Sequence, residues 1–285
     1  MPFSFFMISG GLWLQDSFKQ SLKELPLVSI VTVTFNAQEF LAQALDSIIN
    51  QSYPNVELIV IDGGSSDDTL SIIKAREAKI DFWISEPDKG IYDAMNKGLE
   101  LARGEWIGFK NADDWYLDDA IQNLIIKSKE VYADVFYGNS YSVIQASPLK
   151  LSPYFTNHLN LGQSPSIDHR SLFVRTEIHK KIKFDLQYKL AADFDVFMRL
   201  KSAGAVFMHM HCFVSYKRYG GASDGLQVLK ESFEINRKYF GLAKALYFRY
   251  NSFLKYWKWQ TGNKILKIFL GERRYHKFKE RKLKS

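Results

Sequence analysis

Three apolar segments of this chain stop at polar turns, with helical patterns between them. Val28-Ser-Ile-Val-Thr-Val-Thr34 is a β-branched run that ends in Phe35-Asn36. Val56 to Ile61 ends in Asp62-Gly-Gly-Ser-Ser-Asp-Asp-Thr69, and Trp106 to Phe109 runs into a turn holding Asn111, Asp113 and Asp114. Continuous β-branched runs mark strands buried on both faces, as in parallel sheets. Phe40, Leu41, Ala44, Leu45, Ile48 and Ile49 share one side of a helix for which Asn36 is a candidate cap. Ile80 to Ile84 is a further short strand, and a helix is expected around Tyr92–Ala102, ending at Gly104. Strands alternating with helices imply βαβ units, and such sheets bind ligands beyond the carboxyl ends of their strands. The polar turns are therefore the candidate site.

The turn at 111–114 carries the clearest chemistry. Two carboxylates, with an amide two positions upstream, suit a hard divalent cation such as Mg²⁺ or Mn²⁺, whose shell substrate phosphates complete. The competing reading is an acidic helix cap. From about Tyr137 the pattern is less regular: short strands are expected near Ser171–Val174 and Val206–His209, and a helix near Ala192–Ser202.

Charge divides the chain. Residues 226–285 hold 16 Lys and Arg against 4 Asp and Glu, a net of +12, whereas the other 225 residues hold 22 against 27, a net of −5. A mildly acidic body with a basic tail points to a polyanionic surface as partner. Aromatics recur in that tail, from Tyr239 and Phe240 to Trp257 and Trp259, as in helices that lie in an anionic membrane interface. No apolar stretch reaches the roughly 18 residues of a membrane span. The first 15 residues carry no basic start and read as a loose, surface-docking extension. Cys212 stands alone, so no intramolecular disulfide forms, and a reduced cytoplasmic compartment fits.

Taken together, Ser-Ile-Val-Thr-Val-Thr-Phe-Asn (29–36), Val-Ile-Asp-Gly-Gly-Ser-Ser-Asp-Asp-Thr (60–69), Ser-Glu-Pro-Asp-Lys-Gly-Ile-Tyr-Asp-Ala-Met-Asn-Lys-Gly (85–98) and Asn-Ala-Asp-Asp (111–114) resemble the family 2 glycosyltransferases. Within that family the likeness is to bacterial colanic-acid and O-antigen enzymes. His169, the 188–195 segment and Gly220-Gly-Ala-Ser223 extend it to about residues 27–223. The resemblance implies an α/β GT-A fold, a mostly parallel nucleotide-binding sheet flanked by helices. It divides the chain into an N-terminal extension (1–25), a transferase domain (26–225) and a basic, aromatic helical appendage (226–285). The implied reaction moves a sugar, with inversion, from a nucleotide-diphosphate donor to an acceptor hydroxyl. It implies a lipid-linked saccharide acceptor at the cytoplasmic face of the membrane, in surface-polysaccharide synthesis.

By the same resemblance Asp113 is the principal metal ligand, with Asp114 retained as a second. Asn111 stands where the family's metal motif begins with Asp. Thr34, Asn36, Asp62, Asp88, Lys89, Asn111 and Asp114 form the expected donor-binding set. Many relatives carry Asp where this chain has Gly63, which leaves the nucleobase open. Asp193 matches the general base, although the Glu that often precedes it is Ala192 here. His169 and Arg218 are candidates for the acceptor side or for a flap over the donor.

Asp193 and Asp195 lie about 200° apart around a helix, so both cannot enter one site. The resemblance favours Asp193 as the base, which leaves Asp195 for a helix cap or a structural Arg such as Arg199. His209 and His211 lack a neighbouring carboxylate in sequence and are weak metal candidates. Two other classes stay open. A nucleotidyltransferase also needs an acidic metal turn, but Phe35-Asn-Ala-Gln lacks its glycine- and Lys/Arg-rich loop. A non-catalytic scaffold has Asn111 and Ala192 as support. No nucleic-acid-binding motif accompanies the basic tail.

Overall fold

The computed structural model describes residues 7–144, 150–154, 169–218, 227–251 and 254. In chain order the strands are β1 (Ile8–Gly10), β2 (Val28–Thr34), β3 (Val56–Asp62), β4 (Phe82–Ser85), β5 (Trp106–Asn111), β6 (Trp115–Tyr116), β7 (Val135–Ile144), β8 (Lys150–Tyr154), β9 (Leu172–Arg175) and β10 (Phe207–Arg218). The helices are α1 (Leu41–Ile49), α2 (Thr69–Lys74), α3 (Ile91–Leu101), α4 (Ala120–Glu130), α5 (Thr176–Lys181), α6 (Ala192–Ser202) and α7 (227–251). All ten strands form one sheet in the order β1-β4-β3-β2-β5-β9-β7-β10-β6, with β8 paired to β7.

The strands β4, β3, β2 and β5 are mutually parallel, and β9 turns the sheet antiparallel beyond β5. Every residue of β2 and β3 is buried. Alternate side chains feed two cores. Val28, Ile30, Leu58 and Val60 face one with Leu41, Leu45 and Ile48 of α1. Val31, Val33, Ile59 and Ile61 face the other with Met95 and Leu99 of α3. A Cβ on Gly98 would stand 2.2 Å from a Val31 methyl, so glycine there lets α3 lie directly on β2.

Three expectations are corrected. Asn36 caps no helix: α1 begins at Leu41, and Asn36 sits at φ 47° in the loop, bonded across to the 65–66 turn. Residues 7–25 are not a loose extension. Ile8–Gly10 pairs antiparallel with β4, Trp13 stacks on Phe82 at 5.2 Å, and Lys19 reaches Asp81 at 2.9 Å. The pairing covers what would otherwise be an exposed sheet edge.

Nor does the packing end at residue 225. Ile235 of α7 belongs to the core, with Tyr239 and Phe240 against it. Glu231 is buried, and its carboxylate accepts the N–H groups of Lys189, Leu190 and Ala191 at 3.1, 2.8 and 2.9 Å. Those residues lead into α6, whose cap residue Ala191 has no side chain able to serve the free N–H groups of a helix start. The first part of the basic tail is thus structural. No helix among the described residues is long and apolar enough to cross a membrane.

Candidate active site

The parallel register brings the polar turns to one edge of the sheet. Thr34 is opposite Asp62, Val33 opposite Asn111, and Asp62 opposite Ser85. Residues 34–36, 62–66, 85–90 and 111–114 therefore leave the sheet side by side.

Asp62 organises this edge. Its buried carboxylate accepts the N–H groups of Gly64 and Ser65 and the hydroxyls of Ser65 and Ser85, at 3.2, 3.0, 2.5 and 2.6 Å. The expected donor contact is to that extent corrected: both oxygens shape the 63–66 loop. Thr34 contributes a buried hydroxyl with no partner. A Cβ on Gly63 would stand 2.5 Å from Asp88 Oδ2, so the Asp88 carboxylate fills the space that an Asp at 63 would take. Asp88 also accepts the Gly90 N–H at 2.7 Å, which closes the turn before α3. Lys89 is exposed, and its backbone N–H goes to Asp93 at 3.0 Å.

In the acidic turn the two carboxylates part company. Asp114 is fully buried, accepts the Arg218 N–H at 3.1 Å and pairs with the Arg170 guanidinium at 3.4 Å. Its expected metal role is corrected to a structural ion pair, because its charge is turned into the protein. Asp113 is half-buried, and Asn111 holds a buried side-chain oxygen with no partner. The turn leads into β6, not into a helix, so no helix cap competes for its carboxylates. An orphan oxygen beside a partly open carboxylate fits a hard cation that takes its remaining ligands from phosphate. No group of three or more His, Cys, Asp or Glu among the described residues makes a self-sufficient metal site.

From this turn a chain of contacts leads to Asp193. Arg170, held by Asp114, follows His169 in a short 3-10 turn, and Lys110 Nζ donates to the Arg170 carbonyl at 2.7 Å. His169 Nδ1 lies 3.0 Å from Asp193 Oδ2. On Oδ1, Asp193 accepts the Tyr92 hydroxyl at 3.2 Å and the Phe194 N–H at 2.9 Å. Asp193 stands in the first turn of α6 with its side chain 16 % exposed. Burial disfavours its charge, but the bonds from His169, Phe194 and Tyr92 outweigh that and hold it below the usual carboxylate range. Burial and the adjacent Asp193 carboxylate push the Tyr92 hydroxyl well above its ordinary value, so it remains a donor.

Asp195 is fully buried, pairs with Arg199 at 2.7 Å as its spacing predicts, and is reached by Lys238 and Tyr239 of α7. Arg218 spreads over the Phe40 ring at 3.7 Å beside the acidic turn. The 220–223 segment lies outside the described residues. His209 bonds Asn139 at 3.0 Å. Sequence reasoning assigned no role to Tyr92, Arg170 or Glu231. Tyr92 lies within the quoted 85–98 motif and Arg170 follows His169, whereas Glu231 left no signal.

An acidic turn and a helix-borne carboxylate gather at the carboxyl edge of a parallel sheet, where α/β folds bind their ligands. Residues 29–192 match the profile of Glycosyl transferase family 2, and the chain belongs to that family. An uncharacterized glycosyltransferase of Haemophilus influenzae is 28 % identical over 251 residues, covering 82 % of this chain and 99 % of its own. A PGL/p-HBAD biosynthesis glycosyltransferase of Mycobacterium tuberculosis is 31 % identical over 207 residues, covering 70 % and 80 %. The GT-A fold is shared with S. aureus TarS in complex with UDP, at TM-score 0.59 and 18 % identity over 80 % of this chain and 70 % of that one. It is shared too with the mannosyltransferase PcManGT of Pyrobaculum calidifontis in complex with GDP-Man and Mn²⁺, at TM-score 0.58 and 14 % identity over 93 % and 87 %. The protein is a glycosyltransferase.

Proposed function

We propose that this transferase moves a sugar, with inversion, from a nucleotide-diphosphate donor to the hydroxyl of a lipid-linked saccharide in bacterial surface-polysaccharide synthesis. The observation that carries the reading is the run of contacts from the 111–114 turn through Arg170 and His169 to Asp193. It supports the reading because it links the acidic turn, assigned here to the phosphates, with Asp193, assigned here to the acceptor proton. Thr34, Asn36 and the loop shaped by Asp62 receive the nucleoside, and Asp88 supplies the carboxylate that Gly63 lacks. Lys89, exposed next to that loop, is placed for the diphosphate. Asp113 and Asn111 would hold the divalent cation, Mg²⁺ or Mn²⁺, which would supply charge neutralisation for the diphosphate leaving group. Asp193 supplies the basicity that removes the acceptor proton, and Arg218 closes the acceptor side. Single in-line displacement needs one base and no covalent intermediate.

The membrane half of the reading rests on α7 and the residues after it. Leu242, Leu246, Tyr247 and Tyr250 are exposed on α7 among Lys244 and Arg249. Bulky apolar groups beside cations suit an anionic lipid interface on the cytoplasmic side. The test is a thermal-shift screen of UDP-GlcNAc, UDP-glucose and GDP-mannose with and without Mn²⁺. A metal-dependent rise for one donor is expected, since ligand bound to the native state stabilises it. No shift with any donor, and no nucleotide release, would sink the proposal.

A further inference from the structure

We infer that a row of aromatic rings on β6, β10 and β7 is the platform for the acceptor saccharide, and that its length takes two sugar rings. The inference rests on the transferase reading above and adds the surface on which the acceptor lies. Trp115, Tyr216 and Tyr141 stand directly opposite one another in register across the three strands. Trp115 and Tyr216 have ring centroids 5.1 Å apart at 19°, and Tyr216 and Tyr141 5.5 Å apart at 24°. Ring planes in contact are about 3.5–4.0 Å apart, so these centroid distances require lateral offsets of about 3–4 Å. The rings therefore shingle, and part of each face is left uncovered. All three residues are only half-buried.

The sheet gathers these rings on one face. Tyr116, Phe136 and Val214 belong to the core on the opposite face, where the buried Ser140 and Ser215 hydroxyls meet at 3.1 Å. Phe213, three residues before Tyr216, would point away from it on a regular strand. The register of β10 shifts between Phe213 and Ser215, and Phe213 stacks on Tyr141 at 4.0 Å and 10°. An irregularity of this kind disrupts the ladder locally and re-aims a side chain. Here it adds a fourth ring to the row.

A pyranose ring presents a face of C–H bonds whose hydrogens are weakly positive, and an aromatic face is negative. Partly uncovered ring faces, with phenolic hydroxyls and an indole N–H at their rims, match a ligand that is apolar on its face and polar at its edge. Location selects the acceptor. The row begins at Trp115, next in the chain to Asp114, and Arg218 Cζ lies 5.2 Å from its ring centre. In sheet order it lies on the far side of β5 from β2, β3 and β4, whose ends carry the donor loops. Tyr141 shares a face of β7 with Tyr137, which packs in one core with Ala192 and Phe194, the neighbours of Asp193. The row thus extends from the turn assigned to the diphosphate along the face on which α6 presents Asp193. Three adjacent strands span two strand spacings, roughly 10 Å, which is the length of a disaccharide.

The test uses the full chain and simple sugars as probes: methyl glycosides of glucose, galactose, mannose and N-acetylglucosamine, and the disaccharides lactose, maltose and diacetylchitobiose. Saturation-transfer NMR without donor is expected to show transfer to the C–H protons of at least one disaccharide, more strongly than to its monosaccharide. Trp115→Leu and Tyr216→Leu keep an apolar side chain but remove the aromatic face. Each should weaken that binding about three- to ten-fold, and Tyr216→Phe should retain it. Trp115→Leu, on the terminal strand β6, carries the test should Tyr216→Leu melt early. With the donor that gives the thermal shift, the Leu variants should raise the acceptor KM by a like factor and leave the donor's shift unchanged. No transfer to any sugar, or unchanged binding in both Leu variants, would overturn the proposal. So would a fall in kcat at unchanged acceptor KM, the mark of a structural role. Inactivity of the wild type with every donor would instead defeat the transferase reading, and the sugar-binding arm would still decide the platform.

Discussion

Glu231→Ala should cost about 3–5 kcal/mol, although residue 231 lies far along the chain from every motif. Its carboxylate accepts three N–H groups, from Lys189, Leu190 and Ala191, and only 7 % of the residue is exposed. Hydrogen bonds to a charged group contribute about 1.5–3 kcal/mol each, which gives a gross figure of roughly 4–9. Part of that is offset because the carboxylate no longer has to be desolvated and water enters the vacated space. A loss of 3–5 kcal/mol is a large share of the about 5–15 that holds a domain folded. Glu231→Gln keeps the shape and one accepting oxygen, so it should lose about half as much. Equilibrium urea unfolding measures both through the shift in midpoint at unchanged slope. Because these N–H groups lead into α6, turnover of the folded Gln variant should fall through displacement of Asp193, with donor affinity retained. A midpoint shift worth less than about 1 kcal/mol for Glu231→Ala would refute the reasoning, and the helix start would then have its N–H groups served by water.

Asp113→Ala should lower turnover by two or more orders of magnitude, on the order of 3 kcal/mol in the transition state, and EDTA should do the same to the wild type. Full activity in either assay removes the metal assignment. His179 is buried among Phe109 and Phe184, and burial depresses its pKa to about 4. The unfolded chain protonates near the ordinary value of about 6.5, so stability is whole above that pH and falls by about 3 kcal/mol on going down to about 4. Urea unfolding across this window should show a shallower slope for His179→Gln; equal slopes would place the acid sensitivity elsewhere. Deleting residues 255–285, which carry 11 Lys and Arg against 2 Asp and Glu, should abolish salt-sensitive sedimentation with anionic liposomes. The rest of the chain should stay folded, since Glu231, Ile235 and Tyr239 remain; undiminished sedimentation would assign membrane binding to another surface.

The sequence alone determined the parallel half of this protein. Val28–Thr34 and Val56–Asp62 are uniformly apolar or β-branched because they are buried on both faces, and a pattern dictated by burial is readable without the fold. The same holds for the Asn111–Asp114 turn, since a strand end is marked where apolar residues stop. Helix geometry separated Asp195 from Asp193, the resemblance left Asp195 a helix cap or an Arg such as Arg199, and the i, i+4 spacing within one element is what lets it meet Arg199. Contacts between distant segments leave no such periodic mark. Tertiary structure decided that Asp114 spends its charge on Arg170 and Arg218, 56 and 104 positions away. It decided that Asp62 is a scaffold, that Ile8–Gly10 closes the sheet edge, and that Glu231 completes the start of α6. Above all it placed His169 on Asp193: the two are 24 residues apart, and only the packing of α6 against the 169–171 turn makes them a hydrogen-bonded pair.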